Sequence, residues 1–137
     1  MTVNLETLGR AIKQTQYRHH RAFDTALGPL GSTLTQWDAL RAIARTPGSS
    51  AHFLAGETFQ SDQAFGTLAN RLEASGLITR RQGSGRRIEH HITGAGDVML
   101  DAGRPLAHAV LEASFAPLSD AEREQLLDLL LRVVNRT

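Results

Sequence analysis

The 137-residue chain has no cysteine. That excludes disulfides, cysteine-ligated zinc and thiol redox sensing. It has no apolar run near the roughly 20 residues that a membrane span needs. Met1 to Arg10 is not an apolar leader. These absences predict a soluble, cytoplasmic protein without a membrane partner. Repeats, linkers and low-complexity stretches are also missing, so the length suits one domain with one core, residues 1–137. Catalytic signatures are absent too: there is no nucleophile elbow, P-loop, dinucleotide fingerprint or metal-spaced triad. His52 near Glu57 is not a recognisable catalytic set. The expectation is a protein that is not an enzyme and takes no cofactor.

What is present is an ordinary globular balance, 41% hydrophobic and 21% charged. The net charge of +1 hides an asymmetry. Residues 1–45 and 61–95 carry a basic excess, and residues 97–137 an acidic one. A basic surface for a polyanion at one end of a neutral or acidic body would have this distribution.

Residues 4–27 read as a helix, with Leu5, Leu8, Ile12, His19, Phe23 and Leu27 on one stripe. Gly28, Pro29 and Gly31 end it. Thr35, with Asp38 three residues on, predicts the start of a second helix. Its apolar face is Trp37, Leu40, Ile43 and Ala44, and Pro47-Gly48 stops it. A short third helix spans 51–58, with Phe53, Leu54 and Phe59 expected inward. Ser61 caps a fourth helix over about 62–75, and Gly76 ends it. Two short runs, 77–81 and 86–92, flank Gln82-Gly83-Ser84-Gly85 and predict a β-hairpin. A long helix from Thr93 should be kinked or broken near Gly103 and Pro105 and end at Pro117. Ser119-Asp120-Ala121-Glu122 is a capping box. The helix it opens, through Leu126, Leu130 and Val134, is apolar on too many faces for a small monomer, which predicts a subunit interface.

Helix, helix, then a hairpin with a basic turn is a winged helix-turn-helix order. On the fourth helix Ala64, Phe65, Leu68, Ala69 and Leu72 share one face. Gln63, Gly66, Thr67, Asn70 and Arg71 share the other, a short and hydrogen-bonding surface of the kind that meets base edges in a major groove. Arg80, Arg81, Arg86 and Arg87 surround the flexible turn, where they can reach phosphates or a minor groove. The expected DNA-binding set is therefore Ser61, Asp62, Gln63, Gly66, Thr67, Asn70, Arg71, Arg80, Arg81, Arg86 and Arg87. The competing reading is a winged helix used only for protein contacts.

From Leu34 to Val134 the chain resembles the MarR family of bacterial regulators. Leu72-Glu73-Ala74-Ser75-Gly76-Leu77-Ile78-Thr79-Arg80 is similar to that family's L-E-x-x-G-L-[VI]-x-R. Ile92-Thr93 with Gly96 after the wing, and Leu54-Ala55 in the third helix, match as well. The resemblance implies a mainly α fold: a winged helix-turn-helix (about 34–92) with a small β wing, flanked by dimerisation helices (1–30 and 93–137). It implies a homodimeric repressor on a pseudo-palindromic double-stranded operator, released by a small aromatic or anionic effector. One departure stands out. The family's wing usually reads Asp-x-Arg, and here the positions are Ser84, Gly85 and Arg86. A wing without that carboxylate should be looser.

Adjacent pairs such as His19-His20 and His90-His91 diverge on a helix or alternate on a strand, so no metal site is expected. His90 shares parity with Ile88 and Ile92 and should be half-buried. Tyr17, His19, His20, Trp37 and Arg41 are the candidates for an effector cleft, combining aromatic walls with cationic or hydrogen-bonding groups. Trp37 shares a face with Leu40 and Ala44, which favours plain core over the cleft.

Overall fold

The computed structural model describes residues 2–136, so Met1 and Thr137, the outer ends of the two expected flanking segments, lie outside the described residues. Helix α1 (Leu5–Leu27) is capped by Asn4, whose Oδ1 accepts from the Glu6 amide at 2.8 Å. A single 3-10 turn, Gly28–Leu30, follows and closes on Gly31 at φ +76°. Next come α2 (Leu34–Arg45), α3 (Ala51–Glu57) and α4 (Asp62–Ala74). The hairpin is β1 (Ile78–Gln82) and β2 (Ile88–Ile92), and the chain finishes in α5 (Gly94–Phe115) and α6 (Asp120–Val134). Among the described residues no helix is long and apolar enough to cross a membrane.

Helix α2 is buried on two sides, and this organises the molecule. On one side Leu40 and Ile43 pack with Leu54, Phe65, Leu68, Leu72 and Ile78, uniting α2, α3, α4 and β1. On the other, Trp37 packs with Phe23, Leu27, Leu100 and Ala107, uniting α1, α2 and α5. Ile92 touches both clusters. The antiparallel register pairs Ile78 with Ile92 and Gln82 with Ile88. The loop after α2 adds a bridge to the sheet. The Gly48 amide donates to the His90 carbonyl at 2.9 Å, and the His90 amide to the Ser49 carbonyl at 3.1 Å.

Several local expectations need correction. The cap of helix α2 lies two residues earlier than Thr35. Thr33 is its cap and accepts from the Gln36 amide, because an extended residue is needed there and Thr33, at ψ 165°, supplies it. Of the third helix's three inward candidates only Leu54 is buried; Phe53 is exposed and Phe59 is 95% exposed at φ +58°, because seven residues give α3 a single buried side. Ala64 also faces outward. His90 is fully buried rather than half-buried: its Nδ1 hydrogen donates to the Ser49 carbonyl at 2.9 Å, and its ring meets Phe65 edge-on. Burial pushes its pKa down.

Helix α5 is not broken at Gly103 or Pro105. Gly103 has another role. A Cβ built there would lie 2.2 Å from the Trp37 Nε1, so the glycine is the notch that seats the indole, and Nε1 donates to the Leu100 carbonyl. Gly96 serves a second close approach, since its Cβ would lie 2.2 Å from the Leu77 carbonyl oxygen. Thr93 ties the same joint: its amide donates to Leu77 and its hydroxyl to the Gly76 carbonyl. Helix α6 opens with the expected capping box and buries none of its residues, leaving Leu127, Leu129, Leu130, Leu131, Val133 and Val134 exposed.

Candidate nucleic-acid interface

Helix α4 is positioned from both ends. Ser61 accepts from the Ala64 amide at 3.1 Å. At the other end the Leu77 amide reaches the Leu72 carbonyl and the Gly76 amide the Glu73 carbonyl, with Gly76 at φ +77°. This is a Schellman closure, which the missing Cβ of glycine allows. Phe65, Leu68, Ala69 and Leu72 are buried, so Gln63, Thr67, Asn70 and Arg71 face solvent. A Cβ at Gly66 would meet nothing within 4 Å. No contact within the chain therefore accounts for a glycine at this helical position. Beside the exposed strip lies a shallow polar depression of about 490 Å³, lined by Thr35, Gln60, Gln63, Thr67 and Arg71 among others.

Some polar groups on and beside this strip have a defined direction. The Thr67 hydroxyl donates to the Gln63 carbonyl of its own helix at 3.2 Å. Asp62 faces His52 of α3, whose Nδ1 lies 2.9 and 3.1 Å from the two carboxylate oxygens. Sequence spacing pointed His52 only toward Glu57 and gave no sign of this pair. Arg80 is folded back. Its guanidinium lies 2.8 Å from the Glu73 carboxylate and 2.8 Å from the Asn70 Oδ1, and its backbone amide also meets Glu73. The hydrogen bonds from Arg80 hold the Glu73 carboxyl below the usual range. Arg80 thus braces α4 against β1, whereas Arg81 and Arg86 are exposed.

At the wing, the place of the absent carboxylate is taken by other braces. The Gln82 side-chain amide donates to the Gly85 carbonyl at 2.7 Å, and the Gly83 amide to the Arg87 carbonyl at 2.8 Å. Arg87 itself donates to the Gly48 carbonyl at 2.7 Å, pinning the wing to the loop after α2.

The five effector candidates do not line one cavity. Trp37 is 3% exposed and belongs to the core, with Arg41 stacked at 5.1 Å from its ring. Arg41 also pairs with Asp38, whose carboxyl is raised by burial despite Arg41, Arg45 and His20 nearby. His20 pairs with Asp24, and Tyr17 is exposed with Arg21 over its ring. His19 alone faces an open groove between α1 and α5. It bonds the Ser114 hydroxyl and meets Phe115 edge-on. The groove holds about 690 Å³, with Ala22, Ala109, Ala113 and Val110 as apolar walls and Arg18 as a cationic group beside His19. Arg18 was missed because nothing local sets it apart from other helical arginines.

Comparison with known proteins agrees with this geometry. Residues 30–88 match the family model described as MarR family. The HTH-type transcriptional repressor Rv2887 of Mycobacterium tuberculosis is 33% identical over 93 residues, which span 66% of this chain and 64% of the repressor. A probable transcriptional regulator from Pseudomonas aeruginosa has a solved structure with TM-score 0.84 and 31% identity, covering 95% of this chain and 99% of its own. Solved structures of Rv2887 include a salicylic acid complex (TM-score 0.75, 25% identity, 92% of this chain and 95% of that one). They also include a DNA complex (TM-score 0.76, 23% identity, 92% and 96%).

Proposed function

The chain belongs to the MarR family, and from that premise we propose that it is a homodimeric, sequence-specific DNA-binding repressor acting in the cytoplasm. The observation that carries the reading is the outer strip of α4. It is uncharged over Gln63, Gly66, Thr67 and Asn70, bare at Gly66, and flanked by the exposed Arg81 and Arg86 of the wing. Such a strip enters a major groove while the wing reaches phosphates or a minor groove. The division of labour is residues 34–92 for DNA and residues 1–30 with 93–137 for pairing. The exposed Leu5, Leu8 and Ile12 of α1 and the exposed leucines of α6 support the pairing. A pair of reading helices matches a pseudo-palindromic operator.

The effector is a small aromatic or anionic molecule, held in the α1–α5 groove by Arg18 and His19 against its apolar walls. The relative Rv2887, solved with salicylic acid, supports that chemistry. An effector acts only if it prefers the form that does not bind DNA. The test is binding to operators selected from random duplexes, titrated with salt and then with salicylate. Expected are a selected sequence, a steep salt slope and release by ligand. Equal binding to selected and scrambled duplexes would overturn the reading.

A further inference from the structure

Asn70 and Arg80 are ten residues apart, and the Gly76 turn folds β1 back so that they meet. Arg80 Nη2 lies 2.8 Å from the Asn70 Oδ1 and 2.8 Å from the Glu73 Oε1, while Arg80 Nε lies 3.2 Å from the same Glu73 oxygen. A guanidinium has donors and no acceptor, so the amide atom facing it is the oxygen. The outward end of Asn70 is then Nδ2, and among the described residues no hydrogen bond engages it. A free asparagine grips adenine in two places, accepting from N6 and donating to N7. Here the accepting oxygen already gives one of its two lone pairs to Arg80. The arginine charge beside it further disfavours adenine's amino group and favours an edge made of acceptors.

We propose that Arg80 is a positioning residue that fixes Asn70 as a donor, so that Asn70 selects an accepting base edge, guanine N7/O6 or thymine O4, in place of adenine. The inference rests on the proposed DNA-reading role of α4 and deepens it. Glu73 completes the device, because its carboxylate holds the guanidinium that orients the amide.

Operator selection from a randomised duplex library tests this with the full chain and two variants. The wild type selects guanine or thymine at one base pair per half-site whose preference depends on Asn70. Where guanine is selected, replacing it by 7-deazaguanine weakens binding only if N7 is the acceptor, which separates N7 from O6. Arg80→Met frees the amide, so adenine gains about tenfold at that pair while the other pairs keep their preferences. Asn70→Asp keeps a partner for Arg80 but has no donor, and loses the guanine or thymine preference at that pair. Asn70 is on an exposed face, so this variant decides the matter even if Arg80→Met fails to fold. Adenine selected by the wild type at the Asn70-dependent pair overturns the proposal. So does an Arg80→Met protein that binds all sequences more weakly with unchanged preferences, or an Asn70→Asp protein with every preference intact. A wild type that enriches no sequence overturns the DNA-reading assignment and this inference together, a result distinct from a defined operator carrying adenine.

Discussion

Single residues carry two consequences. Gly103→Ala would drive a methyl into the Trp37 indole, which is itself held through Leu100. We expect a loss of roughly 1–3 kcal/mol in urea unfolding, as for other overpacked cores; an unchanged midpoint would show that the notch has slack. His90 gives a pH dependence. Its folded pKa is pushed down from 6.5 by burial. The unfolded chain therefore takes up a proton first as pH falls. Stability from this site is full above about 6.5 and declines below it until the folded histidine also protonates. Unfolding followed between pH 7.5 and 5 should show the decline in the wild type and less of it in His90→Gln, whose amide can still donate to Ser49. Equal declines would assign the pH dependence elsewhere. The sequence showed His90 only as an inward strand position, and it did not show the role of Gly103. Gly103 reads locally as a helix breaker, and only a partner 66 positions away shows it to be a seat.

At the scale of elements, the chain was most readable where the signal is local. Ser61, Thr93 and Ser119 each cap the helix that follows, because the donor and acceptor lie three residues apart in sequence. Thr33 and Thr35 compete under the same rule, and the Asp after Thr35 imitates a capping box that the backbone does not form. The hairpin and its turn were legible from composition. The Arg80–Asn70 hydrogen bond was not, since it depends on how a turn folds a strand across a helix. Helix α4 allows stability and function to be pulled apart. Gly66→Ala meets open space and should stabilise the helix by about 1 kcal/mol. On the proposed function, the added methyl sits against DNA, so thermal melting should rise while operator affinity falls. A rise in both would place Gly66 away from the groove. At the wing, Arg81→Ala and Arg86→Ala should each flatten the salt dependence by about one unit for every phosphate that the arginine neutralises. An unchanged slope would mean the wing stands clear of DNA.

At the scale of the whole molecule, the apolar length of α6 is the feature a single chain leaves unresolved. The sequence showed that the helix needs cover, and the fold shows that α1 to α5 do not supply it. Leu127→Asp with Leu130→Asp should give monomers in sedimentation at micromolar concentration, and a monomeric wild type would refute the pairing. What sequence could not reveal is how the two parts are joined. Thr93, Gly76, Leu77 and Gly96 weld the exit of the wing to the start of α5, and Trp37 in its notch fixes α2 to the middle of the same helix. In the proposed pair each copy is therefore one stiff arm of a pair of calipers, and the adjustable quantity is the gap between the two tips. A ligand that releases DNA would change that gap while leaving distances inside each arm alone. Since the chain has no cysteine, one introduced at Arg81 would carry the only spin label on each copy, and the tip-to-tip distance could be read directly by pulsed electron resonance.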